Sequence, residues 1–153
     1  MNNKKPKIDV VILAAGMGTR MKSDIPKVLH PLLGKPMVEY IFDAVRDICE
    51  DAPLVVVGNR ADLVMETLGD KARYAVQKPQ LGTAHAVQCA REVLRGKSDI
   101  VLVANSDFPL ITAQTYALLV RMHQESGSKL TSQQLFLMIR ADLGASCGMR
   151  KGA

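Results

Sequence analysis

The sequence predicts an α/β fold, a mostly parallel sheet with helices on both faces, and three observations carry that prediction. Short runs rich in valine and isoleucine recur along the chain: "KIDVVIL" at 7–13, "PLVVVG" at 53–58 and "DIVLVAN" at 99–105. Segments with helical spacing of apolar residues lie between them. The runs are apolar nearly throughout instead of alternating, as expected of strands covered on both faces, and strands alternating with helices imply parallel pairing.

Each element has its own signal. Residues 7–13 read as a buried strand, followed by a loop to about Pro36. From Met37 to Cys49, the residues Met37, Tyr40, Ile41, Ala44, Val45 and Ile48 share one helical face. Pro53 to Gly58 is a second buried strand, and "ADLVMETLG" a short helix closed by Gly69. "ARYAVQ" at 72–77 reads as a third strand. Thr83 to Leu94 is helical in Ala86, Val87, Ala90, Val93 and Leu94, with Gly96 beyond its end. Residues 99–105 form a fourth strand, and Thr112 caps a helix that runs to about Gln124.

Composition narrows the functional class. At 153 residues the chain makes one domain at most, and 48% hydrophobic with 23% charged residues suits a globular core. No apolar run approaches the roughly 20 residues of a membrane span. The basic N-terminus before an apolar stretch imitates a signal peptide, but the stretch is short and contains Asp9, so a cytoplasmic location is expected. Cys49, Cys89 and Cys147 are odd in number and lack CxxC spacing, which excludes a disulfide framework and the common zinc patterns. The net charge of +5 is a weak nucleic-acid signal: residues 128–153 carry +3 of it, and no basic stripe interleaves with aromatics. Neither nucleic acid nor a membrane is expected as a partner.

The strongest chemical signal is the loop after the first strand. In parallel sheets ligands bind beyond the carboxyl ends of strands, which singles out the loops after 13, 77 and 104. "LAAGMGTR" lacks the GK[ST] ending of a P-loop, and its glycines do not make GxGxxG. Ala14, Ala15, Gly16 and Gly18 nevertheless leave backbone N–H groups uncovered, able to cradle a phosphate, with Arg20 and Lys27 available for its oxygens. Taken alone, this spacing fits a tight turn with two solvated cations about as well.

The full string "LAAGMGTRMKSDIPKVLHPLLGKPMV" resembles the signature loop of sugar-1-phosphate nucleotidyltransferases, above all the uridyltransferase domain of bacterial bifunctional N-acetylglucosamine-1-phosphate enzymes. The resemblance implies that Leu13, Ala14, Ala15, Gly16, Gly18 and Thr19 bind nucleotide and that Arg20 and Lys27 act on the phosphates. "VQKPQLGTAHAV" is similar to the family's Q-x-x-x-L-G-T-x-H-A segment, which assigns Gln77, Gly82 and Thr83 to uracil; His85 reads as a structural or supporting residue. "NSDFPL" is similar to the family's G-D-x-P-L segment, whose aspartate ligates metal, so Asp107 is the expected Mg²⁺ ligand. Ser106 stands where glycine is typical, which makes the sugar contacts there less certain than the metal contact.

The resemblance implies a Rossmann-like nucleotidyltransferase sheet, incomplete at the C-terminus. Its reaction is Mg²⁺-dependent transfer from UTP to a sugar 1-phosphate, N-acetylglucosamine 1-phosphate first among them. Two alternatives stay open: a relative using another base or acceptor, such as molybdopterin or a hexose phosphate, and a non-catalytic nucleotide-binding fragment. The match spans roughly residues 8–131, so 7–127 read as a partial nucleotidyltransferase domain and 128–153 as an atypical tail. With permitted codons, reading that tail two bases out of frame restores a string like the family's D-D-P-x-G region. A frame-shifted tail and impaired turnover are therefore expected; the sequence says nothing of oligomeric state.

Overall fold

The computed structural model describes residues 5–16, 18, 21–133 and 136–140. Eight strands and four helices follow in chain order: β1 (Ile8–Leu13), β2 (Pro31–Leu32), β3 (Lys35–Pro36), α1 (Met37–Val45), β4 (Leu54–Val57), α2 (Ala61–Leu68), β5 (Arg73–Val76), α3 (Thr83–Leu94), β6 (Ile100–Asn105), α4 (Ala113–Ser126), β7 (Leu130–Gln133) and β8 (Phe136–Arg140). The expected strands and helices are all present, with α1 ending at Val45, short of Cys49. The segment to Pro36, expected as loop, contains a 3-10 turn at Lys27–Leu29 and the small β2–β3 hairpin.

The main sheet runs β5-β4-β1-β6-β8-β7. Strands β5, β4, β1 and β6 are parallel, with Leu13 paired to Val56 on one side and to Asn105 on the other. The chain builds outward from β1 through β4 to β5, then returns over the sheet through α3 to place β6 on the opposite side of β1. The connection therefore reverses direction between β1 and β6, and such a switch point opens a crevice beyond the strands' carboxyl ends.

Alternation along β1 divides the core. Val10 and Ile12 pack with Val55, Val57 and Leu102 against α1, α2 and α4. Val11 faces the other way, with Leu54, Val56 and Val103 against Ala86, Ala90 and Leu94 of α3. Helices thus cover both faces, three on one and α3 alone on the other. Valine and isoleucine suit this arrangement because their branched β-carbons fill a pleated surface, and burying each apolar side chain contributes about 1.5–3 kcal/mol.

Asp9 interrupts the apolar run of β1 at a fully buried position. Its carboxylate accepts from Nη2 of Arg73, which reaches across β4 from β5, while Arg73 Nε donates to the Ala52 carbonyl at 2.7 Å. The pair cross-links three strands at their amino ends, opposite the crevice.

Beyond α4, two strands that the sequence reading did not anticipate extend the sheet. β8 pairs antiparallel with the outer edge of β6, from Ile100↔Arg140 to Ala104↔Phe136, and β7 pairs with β8. Met138 is buried in the same core as α4. Strands of the sheet thus lie past residue 128; residues 134, 135 and 141–153 of the expected tail lie outside the described residues.

Candidate functional site

The ends of four parallel strands place the expected residues on one edge of the sheet. After β1 the backbone is held at its start: Ala14 N donates to Val56 O at 2.9 Å, and Ser106 N donates to Leu13 O at 3.3 Å. Ala14 and Ala15 are buried, and Gly16 opens onto free space. Gly18 has φ of +58°, and a β-carbon there would lie 2.9 Å from Lys27 Cβ. Glycine is therefore required twice at this position, once by backbone conformation and once by the lysine stem packed on it. Thr19 and Arg20, expected at the phosphates, lie outside the described residues.

Lys27 opens the 3-10 turn after the buried Pro26, and its Nζ reaches Asp107 Oδ1 at 2.8 Å. The expected phosphate cation and the expected metal ligand thus meet across the β1/β6 switch point. Both stay accessible, their side chains 35% and 43% exposed, so neither is committed to a buried structural pair. Asp107 sits just past β6, where its N–H donates to Asn105 Oδ1 at 3.3 Å. Ser106, which replaces the usual glycine, is buried at 5% exposure.

The base-side residues form a second group. Gln77 is 3% exposed and continues β5, its N–H donating to Val57 O at 2.8 Å. Its Nε2 donates to Gly82 O at 2.9 Å and lies 3.2 Å from His85 Nδ1. Gly82, with φ of +92°, precedes α3, and Thr83 is its exposed first residue. Uncapped N–H groups at that helix start suit an anion or a carbonyl.

Two residues that the sequence reading missed join the groups. Gln80 Nε2 donates to Ala15 O at 2.8 Å, tying the Gln77–Gly82 loop to the glycine loop. Gly58 makes room for it: a β-carbon there would lie 2.4 Å from Gln80 Nε2 and 2.8 Å from Ala15 O. The signal was present in "PLVVVG" and "QKPQLG", but nothing in linear order says that they adjoin. A groove of about 650 Å³, bordered by Gly58, Asn59, Arg60, Gln77 and Gln80, joins through Asn59 and Arg60 a smaller one of about 330 Å³ beside Gly16 and Pro26. Volumes of this order suit a small ligand.

For a divalent cation the strand-end carboxylate beside Lys27 is Asp107, 43% exposed. Among the described residues no cluster of three or more histidine, cysteine, aspartate or glutamate side chains forms a metal cage. This fits Mg²⁺, which binds through one or two carboxylates and takes its other ligands from substrate phosphates and water.

Comparison with known proteins settles the family. The model for the MobA-like NTP transferase domain matches residues 10–134. The chain belongs to this nucleotidyltransferase family. Over 121 residues this NTP transferase domain is 52% identical to a protein named bifunctional protein GlmU from an Exiguobacterium species, covering 79% of this chain and 27% of that one. A Bacillus cytotoxicus protein of the same name is 49% identical over 121 residues, covering 79% and 26%. The chain thus spans about a quarter of the length of these relatives. A nucleotidyl transferase from Methanothermobacter superposes with a TM-score of 0.62 at 28% identity, covering 75% of this chain and 57% of that one. Rv0371c from Mycobacterium tuberculosis, at 18% identity, shares the fold with a TM-score of 0.72 over 90% of this chain and 73% of its own. No helix among the described residues is long and apolar enough to cross a membrane.

Proposed function

We propose that this chain binds UTP and transfers its uridylyl group to a sugar 1-phosphate, with N-acetylglucosamine 1-phosphate as the first acceptor to test. The observation that carries the reading is the meeting of Lys27, Asp107 and the Gly16–Gly18 loop at the β1/β6 switch point, with Gln77 on the same edge. The near-50% identity to GlmU proteins favours uridylyl transfer over a guanylyl or molybdopterin reaction.

In this reading Leu13, Ala14, Ala15, Gly16 and Gly18 present backbone to the triphosphate, joined by Thr19 and Arg20. Gln77, Gly82 and Thr83 hold the base. A sugar-phosphate oxygen forms a bond to the α-phosphorus of UTP, and the bond from that phosphorus to the β-phosphate bridge breaks, releasing pyrophosphate. The attacking phosphate is already largely ionised near neutral pH, its second pKa being about 6, so no protein base is needed. Lys27 moves from Asp107 to the phosphate oxygens, where a point charge stabilises the negative charge of the transition state. Asp107 would hold Mg²⁺, which when bound would supply charge neutralisation and alignment of the phosphates.

The test is pyrophosphate release from UTP with N-acetylglucosamine 1-phosphate, run beside calorimetric titration of UTP and GTP. UTP binding stronger than GTP binding, with acceptor-dependent pyrophosphate, is the expected result. Preference for GTP overturns the uridylyl assignment, and UTP binding without pyrophosphate marks a chain that binds nucleotide but does not turn it over.

A further inference from the structure

We propose that His85 sets which edge of the Gln77 amide a nucleotide base meets, and thereby makes the site select a pyrimidine with an N–H at ring position 3 over one with a bare nitrogen there. The proposal rests on the reading above that Gln77 contacts the base, and it assigns a task to a histidine otherwise read as supporting.

Hydrogen-bond logic fixes the amide. A glutamine nitrogen and oxygen are interchangeable by shape, so orientation has to be decided by partners. Gly82 O is a backbone carbonyl and can only accept, so the group 2.9 Å from it is the Gln77 NH₂. The same nitrogen lies 3.2 Å from His85 Nδ1. Its second N–H therefore donates there, and Nδ1 must carry the lone pair. His85 is then the neutral tautomer with its proton on Nε2, the atom that faces Cys89 Sγ at 3.9 Å, where sulfur is a weak acceptor.

With both N–H groups engaged, the oxygen is the part of the Gln77 amide left for a ligand, and it can only accept. Uracil offers N3–H to such an oxygen. Cytosine, of the same size, offers a lone pair at that position, and two acceptors facing each other repel. Gly82 O alone would occupy one N–H and leave the amide a looser choice of partners; His85 removes that choice. A site built to accept an N–H rejects the analogue lacking it because its own polar atom is left unpaired.

Four proteins test this by calorimetry with UTP and CTP: the parent chain, Gln77→Ala, His85→Ala and His85→Gln. The parent binds UTP at least tenfold more tightly than CTP. His85→Ala lowers that ratio by about tenfold, the worth of one hydrogen bond, chiefly through weaker UTP binding. His85→Gln, whose amide oxygen can accept from Gln77 Nε2, recovers most of the ratio. Ring ¹⁵N shifts of His85 report the proton on Nε2. Selectivity retained in His85→Ala, or a proton on Nδ1, overturns the proposal while Gln77 keeps its role. UTP binding unchanged in Gln77→Ala overturns the base-contact reading itself. Thermal unfolding of each variant separates selectivity from stability, since equal loss of UTP and CTP binding marks a structural role for His85 and refutes the proposal.

Discussion

Replacing Gly58 with alanine tests whether the two nucleotide loops are built as one unit. The new β-carbon would sit 2.4 Å from Gln80 Nε2, 2.8 Å from Ala15 O and 3.0 Å from Ala15 Cβ. Gln80 can swing aside, since it is exposed, but only by giving up its bond to Ala15 O. That loss costs about 1 kcal/mol. Ala15 cannot move as easily: it is buried against α3, and Ala14 before it is tied to Val56. Overpacking of this kind costs about 1–3 kcal/mol. Together these give roughly 3 kcal/mol, or a fall in Tm of about 6–12 °C for a chain of this size. Urea unfolding followed by circular dichroism measures the first figure and calorimetry the second. Gln80→Ala is the control, losing only the hydrogen bond and about 1 kcal/mol. In UTP titration both variants bind more weakly, Gly58→Ala the more so. A Gly58→Ala protein within 0.5 kcal/mol of the parent, about the scatter of a neutral surface change, would sink the account, because no rearrangement that cheap relieves two contacts to Ala15.

Three other outcomes follow from single features. Arg73→Met leaves the fully buried Asp9 carboxylate without its cation and destabilises the chain by about 3–5 kcal/mol, whereas Asp9→Asn in the same protein restores part of that loss; denaturant titration of the three variants checks it. Lys27→Met changes unfolding free energy by less than about 1 kcal/mol, because its pair with Asp107 is a third or more exposed, yet it weakens UTP binding at least tenfold, about 1.4 kcal/mol, in calorimetry. Burial raises the Tyr116 phenol to about 12, from an ordinary value of 10.0. The unfolded chain therefore loses this proton first, and stability present below pH 10 falls by about 2 kcal/mol as pH rises to 12. Tyr116→Phe should flatten that part of a pH–stability curve, and an unchanged slope would count against the assignment.

The sequence by itself determined the parallel core. Runs such as "VVIL" and "LVVV" cannot expose either face cheaply, so each must be a strand covered on both sides, and the intervening apolar spacing supplies the cover. The loops after residues 13, 77 and 104 were also legible as places, because parallel strands present their carboxyl ends to a ligand crevice; the roles given to Gly16, Gly18, Gln77 and Asp107 within them came from the family resemblance. Strands β7 and β8 were not, since a short apolar run such as "FLMIR" becomes a strand only where a sheet edge has unpaired groups to offer, and that edge is β6. Asp9 counted in the sequence only against a signal peptide; its cation, Arg73, stands two strands away in the sheet and 64 positions away in the chain. Gly58 and Gln80 stood in plain view in "PLVVVG" and "QKPQLG", but linear order could not join them: the hydrogen bond from Gln80 to Ala15 links residues 65 positions apart in the chain. Local pattern records what a segment must bury. Which side chains complete one another's charges and hydrogen bonds is decided only when the crossover through α3 sets β6 beside β1 and brings Lys27 to Asp107.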